Sequence, residues 1–367
     1  MAIFFMPFTN VFTINLKFPL KIYEILLSIL VLYLIPHGKI FIAPWLRKEQ
    51  VFLFIFLFVL SCITLYRILY PPSGLDTQGF IFRFGPVGDS LSKILYLFFT
   101  ALSYLLVSVI TYLEERKVIM AWLLGAYFSS LYTWYLFLSS LLGLPTFLFP
   151  GTAGVQKFTY LSFSFIRSGT FSEGNFMGLY LLISIAIALY NRKYKTALFL
   201  TSTVLITFST INFLALLFFW LVFGIKKFLL EKSEKKFTRV IVCLVVVLVV
   251  FTLLFKSKYL ELVLFSKIFG VGNDILSKLD RINLIITGIK MFLDHPIIGV
   301  GLARYGYYFR HYQFMDIKDI QHYFKIIPNN IYVELLSELG IAGFITFMFF
   351  IIRIYKSSFF SSRYGFA

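Results

Sequence analysis

Apolar runs of roughly 20 residues recur along this chain, the length that an α-helix needs to cross the hydrocarbon core of a bilayer. They lie near residues 20–36, 50–70, 90–113, 118–142, 174–190 and 238–255, with a last one near 331–355. With 59% hydrophobic residues and a mean hydropathy of +0.87, the apolar side chains exceed what one water-soluble core could bury. A membrane therefore has to be the solvent for most of the chain.

The run at 196–225 exceeds one straight span and barely supplies two, and charge decides between these readings. A single crossing would put Lys226, Lys227, Lys232, Lys235, Lys236 and Arg239 on the side opposite to the other short basic loops. Two short helices turning near residues 209–212 restore agreement. On that count of about nine spans, the cytoplasmic segments hold Lys39, Arg47 and Lys48, then Arg116 and Lys117, then Arg192, Lys193 and Lys195, then the cluster above, and finally Arg353, Lys356 and Arg363. The short external loops hold fewer, with Arg83 in one and Lys157 and Arg167 in another; Lys17 and Lys21 are exceptions. The positive-inside rule then puts residues 71–90, 143–173 and 256–330 outside the cytoplasm. This topology also accounts for most of the net charge of +17, which on a soluble protein would suggest nucleic acid as a partner.

The expected architecture is all-α: a polytopic transmembrane helical bundle with a long external loop that contains an amphipathic helix. Residues 1–142 form amino-terminal spans, 143–255 central spans, 256–330 the large loop, and 331–367 a last span with a cytoplasmic tail. No removable signal peptide is recognisable, and both chain ends read like the edges of a larger helical protein. Cys62 and Cys243 fall inside apolar runs, where packing is their default role, and no disulfide framework or metal site follows. Within the long loop, Ile282, Ile285, Ile286, Ile289, Met291 and Phe292 recur at helical spacing. Asp294-His295-Pro296 should end that helix, because the residue before proline avoids helical geometry. Beyond it, Tyr305, Tyr307, Tyr308 and Tyr312 suit a membrane interface.

Three polar segments have the residue types for chemistry. Residues 167–175, Arg-Ser-Gly-Thr-Phe-Ser-Glu-Gly-Asn, enter a spanning helix. They offer open backbone amides and Arg167 to a phosphate, or simply a capped helix start with Glu173 in the first turn. Residues 281–304 carry Arg281 and Arg304 on one external loop around Asp-His-Pro-Ile-Ile-Gly-Val-Gly-Leu at 294–302. Those guanidiniums could hold a diphosphate, or serve as interfacial anchors. Residues 328–340, Pro-Asn-Asn-Ile-Tyr-Val-Glu-Leu-Leu-Ser-Glu-Leu-Gly, set Glu334 and Glu338 four apart on one helical face. They are either proton acceptors and sugar contacts or ordinary acids at a helix amino terminus. Of the four histidines, His37 is cytoplasmic by topology, and His295, His311 and His322 lie in the external loop, where any could act as a general base.

In order and surroundings, these segments resemble the O-antigen polymerase and O-antigen ligase family over roughly residues 150–356. The family pattern is an arginine followed by a Gly-x-Phe stretch and an Asn-containing helix start. An arginine then stands some fifteen residues before His-Pro-x-x-Gly-x-Gly, and His-Asn-x-Tyr-x-x-x-x-x-Glu-x-Gly closes the pattern. Arg167 to Asn175, Arg281, His295 to Gly301 and Asn330 to Gly340 match it. The resemblance implies a metal-independent glycosyltransferase of the bacterial inner membrane, active on the periplasmic face without a cofactor. It would move glycan from undecaprenyl diphosphate onto another lipid-linked repeat unit, as a polymerase, or onto lipid A core, as a ligase.

Two departures stand out. The histidine regarded as the family's general base is replaced by Asn329, which takes no proton at working pH, and the Ser-Arg of the mid-chain hairpin gives way to Thr210-Ile211-Asn212. The lost histidine counts more against ligase than against polymerase. The expected roles are charge stabilisation by Arg167, Arg281 and Arg304, acceptor orientation by Asn329 and Asn330, and a base among His322, His311 and Glu334. Expected partners are the lipid-linked glycan, membrane lipids, and a flippase and chain-length regulator of the same pathway. A transporter or a non-catalytic scaffold is the alternative of another class.

Overall fold

The computed structural model describes residues 1–15, 19–34, 47–76, 84–150, 152, 155–160, 163–230, 273–315 and 326–364. The described residues form helices α1 (Ala2–Phe5), α2 (Ile22–Leu34), α3 (Arg47–Leu69), α4 (Gly85–Leu141), α5 (Gly174–Tyr190), α6 (Tyr194–Ile206), α7 (Thr210–Leu230), α8 (Asn273–Asp294), α9 (Tyr305–Tyr312) and α10 (Ile331–Tyr364). Two small antiparallel hairpins pair β1 (Ile14–Asn15) with β2 (Pro19–Leu20) and β3 (Lys157–Tyr160) with β4 (Phe163–Ile166). The chain divides into two compact units, Met1–Lys39 with Leu113–Phe269, and Ile40–Tyr112 with Gly270–Ala367.

Three helices are long and apolar enough to cross a membrane, Gln50–Leu69, Gly85–Thr111 and Ile331–Lys356, and four shorter apolar helices accompany them. Their limits agree with the expected spans at 50–70, 90–113 and 331–355. The predicted span at 174–190 is α5, and the long ambiguous run is indeed two helices, α6 and α7, turning at Thr207-Phe208-Ser209. The candidate span at 238–255 lies outside the described residues.

In the first unit, α5 and α6 pack through Met177, Leu181, Ile185, Ala188, Ala197, Leu200 and Val204, all buried. The α6–α7 turn is held to the start of α5 by Asn212, whose Nδ2 donates to the Asn175 carbonyl at 2.8 Å. Gly178 permits that approach, because a Cβ there would run into the Asn212 amide.

In the second unit, Phe56, Leu60 and Ile63 of α3 meet Leu335 and Leu339 of α10 and Leu302 of the loop before α9. A second cluster gathers Met291, Val300, Tyr305, Tyr307, Tyr308, Phe309 and Tyr312. These tyrosines are buried rather than lying at an interface as their sequence suggested. Each hydroxyl that would oppose burial has a partner: Tyr305 donates to the Leu284 carbonyl, Tyr307 to Asp89 and Tyr308 to the Pro72 carbonyl. The predicted amphipathic helix is α8, and it stops at Asp294, directly before His295-Pro296, as expected. The last span departs from expectation in one respect: Gly340, at φ 63° and ψ −165°, breaks α10 into two helical pieces.

Candidate functional site

The break at Gly340 organises the second unit's polar centre. The interrupted helix leaves backbone groups near residue 340 without helical partners, and the loop after α8 supplies them. Val300 and Gly301 donate to the carbonyls of Ser337 and Glu338 at 2.9 and 2.8 Å, while Ile341 and Ala342 donate to those of Pro296 and Ile297 at 2.8 and 3.2 Å. Two main chains approach this closely only where side chains are missing. A Cβ on Gly340 would lie 2.5 Å from the Ile297 carbonyl carbon and oxygen, and one on Gly299 would overlap the Glu338 backbone. Gly299, Gly301 and Gly340 also have φ values of 57°, 110° and 63°, a region that L side chains avoid. The Gly-x-Gly and Glu-x-Gly elements are thus two halves of one backbone clamp.

The clamp places Glu338 beneath the amino terminus of α9. Its carboxylate accepts from the backbone N–H of Ala303 at 2.8 Å and of Tyr305 at 3.1 Å, and it is 3% exposed. A carboxylate there satisfies the first N–H of the helix and that of Ala303 just before its cap, and meets the positive end of the helix dipole. Between those two amides stands Arg304, 2% exposed. Its Nη1 donates to the Arg67 carbonyl at 2.6 Å and its Nε to Ser90 Oγ at 3.3 Å. Arg67, in the last turn of α3, donates its Nε–H to the Gly299 carbonyl at 2.7 Å. A Cβ on Gly301 would meet Arg304 Cδ at 2.8 Å and Arg67 Cβ at 3.1 Å, so both arginines border this glycine.

His295, Tyr308 and Tyr312 complete the surroundings of the two guanidiniums. His295 Nε2 lies 3.4 Å from the Tyr312 hydroxyl. Burial pushes the imidazole below its usual value and the positive charge of Arg67 adds to this, against a smaller opposite effect of Asp294. Burial, with Asp294 beside it, pushes the Tyr312 phenol up to about 12. Burial also lowers Arg304, with Tyr308 and Tyr307 opposing and Arg67 reinforcing the shift.

The sequence-predicted residues fall in different places. Arg304 is at the centre just described. Glu334, one turn before Glu338, pairs with Lys93 of α4 at 3.8 Å, and its side chain is 22% exposed. Asn330 is the amino-terminal cap of α10, its Oδ1 accepting from Tyr332 and Val333 N–H at 3.0 and 3.2 Å. Asn329 is exposed at φ 51°. Arg281 is exposed on α8 and makes no ion pair among the described residues. The His311 ring lies against Gly74 and edge-on to Tyr312, whereas His322 lies outside the described residues. Arg167 is in the first unit, where its Nη1 donates to the Phe208 carbonyl at 3.0 Å. Next to it, Gln156 Oε1 accepts from Gly174 N–H at 3.0 Å, so the start of α5 is met by a side chain from just before β3.

Arg67, Ser90 and Lys93 were missed by the sequence reading. The available signal was charge inside or at the end of an apolar run, since Arg67 and Lys93 fall within predicted spans at 50–70 and 90–113.

Apolar helices of spanning length around a buried polar centre define an integral membrane protein. Residues 195–348 match the family model described as O-Antigen ligase. Over this stretch, which is less than half of the chain, the protein is similar to a family whose members are membrane glycan-transferring enzymes. The stretch includes Arg281, the backbone clamp and Glu334, and begins after Arg167. A search of curated proteins finds no match.

Proposed function

We propose that this protein polymerises undecaprenyl-diphosphate-linked oligosaccharide repeat units into O-antigen or a related surface polysaccharide at the periplasmic face of the inner membrane. In the reaction, a hydroxyl oxygen of the acceptor sugar attacks the anomeric carbon of the lipid-linked chain. The bond from that carbon to the diphosphate oxygen breaks, the hydroxyl proton passes to a base, and undecaprenyl diphosphate leaves as the anion. Inversion follows from attack on the face opposite the leaving group.

The observation that carries this reading is the clamp, inside the family-matched region, that sets Arg304 of that region beside Arg67 at the end of an earlier spanning helix. Fixed guanidiniums stabilise the negative charge that develops on the leaving diphosphate without reorganising during the step. Arg281, in the same unit, is a further candidate for a contact along the charged donor. With Asn329 in place of the family histidine, Glu334 is the proposed base. It pairs with Lys93 at 3.8 Å, is partly exposed, and lies one helical turn from the clamp. Asn329, exposed ahead of the α10 cap, would orient the acceptor.

The test is the lipopolysaccharide or capsule profile on a gel after deleting the gene and complementing with wild type, Arg281→Ala or Glu334→Gln. Collapse of a ladder to a core-plus-one-unit band, restored by wild type alone, is the expected result. Loss of every band above core would make the protein a ligase, and an unchanged ladder after deletion would overturn both assignments.

A further inference from the structure

Four carboxylates among the described residues of the second unit are already engaged. Asp76 pairs with Arg310 at 3.3 Å, Asp89 accepts from Tyr307 at 2.8 Å, Glu334 faces Lys93, and Glu338 is used by two backbone amides. Arg67 and Arg304 make no ion pair with a carboxylate among the described residues. Their donors instead meet neutral oxygens: the Gly299 carbonyl for Arg67, and the Arg67 carbonyl and Ser90 hydroxyl for Arg304. A buried guanidinium beside a second one, with no counter-ion, is an unfavourable arrangement that packing alone does not explain. It becomes favourable when an anion arrives.

The geometry also distinguishes the two arginines. Arg304 is buried, and its hydrogen bonds tie α9 to α3 and α4. Arg67 is half-buried; its Nε donates to the Gly299 carbonyl, its guanidinium lies over the Tyr66 ring at 5.9 Å, and its Nη groups make no hydrogen bond among the described residues. The Gly299 carbonyl thus fixes the plane of the Arg67 fork while both Nη groups remain for a ligand. A fixed planar fork suits two oxygens of one phosphoryl group. Tyr66, Tyr308 and Tyr312 stand beside it, with His295 near by.

We infer that Arg67, which lies outside the family-matched region, is the residue that grips a phosphoryl group of the substrate, with Arg304 as the buried charge behind it. The ligand class is a lipid-borne diphosphate, and that choice rests on the proposed glycan transfer. A phospholipid headgroup offers the same phosphate chemistry, so the experiment separates the two.

Purified full-length protein in a neutral detergent is titrated with farnesyl diphosphate, and binding is read by the ligand-dependent rise in unfolding temperature and by direct calorimetry. Wild type should bind. Arg67→Gln should weaken binding roughly 10- to 100-fold, the loss expected for a charge-assisted contact. Arg67→Lys should fall between, because charge survives and the fork does not. Arg310→Gln should bind as wild type, because that charge is already taken by Asp76. The unliganded unfolding temperature of Arg67→Lys within a few degrees of wild type shows that the site is intact.

Equal binding by wild type and Arg67→Gln, or no binding by wild type, overturns the inference. Competition by short-chain phosphatidylglycerol at equal concentration overturns the diphosphate assignment. If the gene deletion leaves every surface glycan unchanged while binding still follows Arg67, the site stands and the polymerase reading falls. If deletion collapses the ladder but binding ignores Arg67, the reverse holds.

Discussion

Replacing Gly340 with alanine probes the clamp at its tightest point. The substitution adds one methyl group and leaves charge unchanged. At φ 63° and ψ −165° the backbone sits in a region nearly closed to residues with a Cβ, which costs about 1–3 kcal/mol. The new carbon would also lie 2.5 Å from both the carbon and the oxygen of the Ile297 carbonyl. Main chain held by two hydrogen bonds on either side cannot step back without breaking them, so overpacking adds roughly 1–3 kcal/mol. The expected total is about 2–6 kcal/mol. Gly143→Ala isolates the first contribution: Gly143 has φ +67° but open space around its Cβ, and should lose only about 1–2 kcal/mol. Gly224→Ala, on the exposed face of α7 with nothing nearby, should be neutral or slightly stabilising. The assay is heat unfolding of the three variants in one detergent, followed as the folded fraction by size-exclusion fluorescence. Gly340→Ala unfolding at the same temperature as Gly143→Ala would refute the clamp.

Glu338→Gln keeps one acceptor oxygen where two amides need one each, and turns an N–H₂ toward the other amide; stability should drop by about 1.5–3 kcal/mol, measured by the same unfolding assay, and the glycan ladder should be lost with it. Asn330→Ala removes the α10 cap at a cost of about 1 kcal/mol, and Asn330→Asp, which restores an acceptor, should recover it. His295 predicts a pH dependence: its folded-state value lies below the ordinary 6.5, so the unfolded chain takes up the proton first as pH falls. Its contribution is complete above about pH 6.5 and is lost below that, toward the lowered folded value. Unfolding temperatures of wild type and His295→Gln should therefore diverge in slope between pH 7 and pH 5, and parallel curves would count against the assignment.

Helices were legible wherever apolar length or periodicity decided the structure. The run at 196–225 shows this well: the charge that follows it called for two helices with a turn between them, and α6 and α7 are those two helices. The fate of Tyr305, Tyr307, Tyr308 and Tyr312 was not legible, because an amphipathic aromatic suits an interface and a hydrogen-bonded core equally. The choice was made by partners far away in sequence, Leu284, Asp89 and Pro72. The glycines of residues 299–301 were recognised as a pattern without a reason. The reason lies in Gly340, since each half of the clamp makes sense only against the other main chain.

The same separation hid Arg67. Read locally, it is a cation in the last turn of a spanning helix, where it complements the dipole and would be expected to snorkel. Those local reasons would be satisfied by a lysine or by a neighbouring position. They do not require the Nε–H to be given to Gly299, or the Arg67 carbonyl to receive the Arg304 guanidinium. Arg304 in turn sits between the two amides that Glu338 holds, and Glu338 is held by the break at Gly340. A strained glycine in the last span thus fixes the position of two arginines, one of them on a helix more than two hundred residues earlier. Strain at Gly340 and uncompensated charge at Arg67 and Arg304 are both costs to the unliganded protein, and an anion binding between those residues is one event that would offset the second while using the rigidity bought by the first.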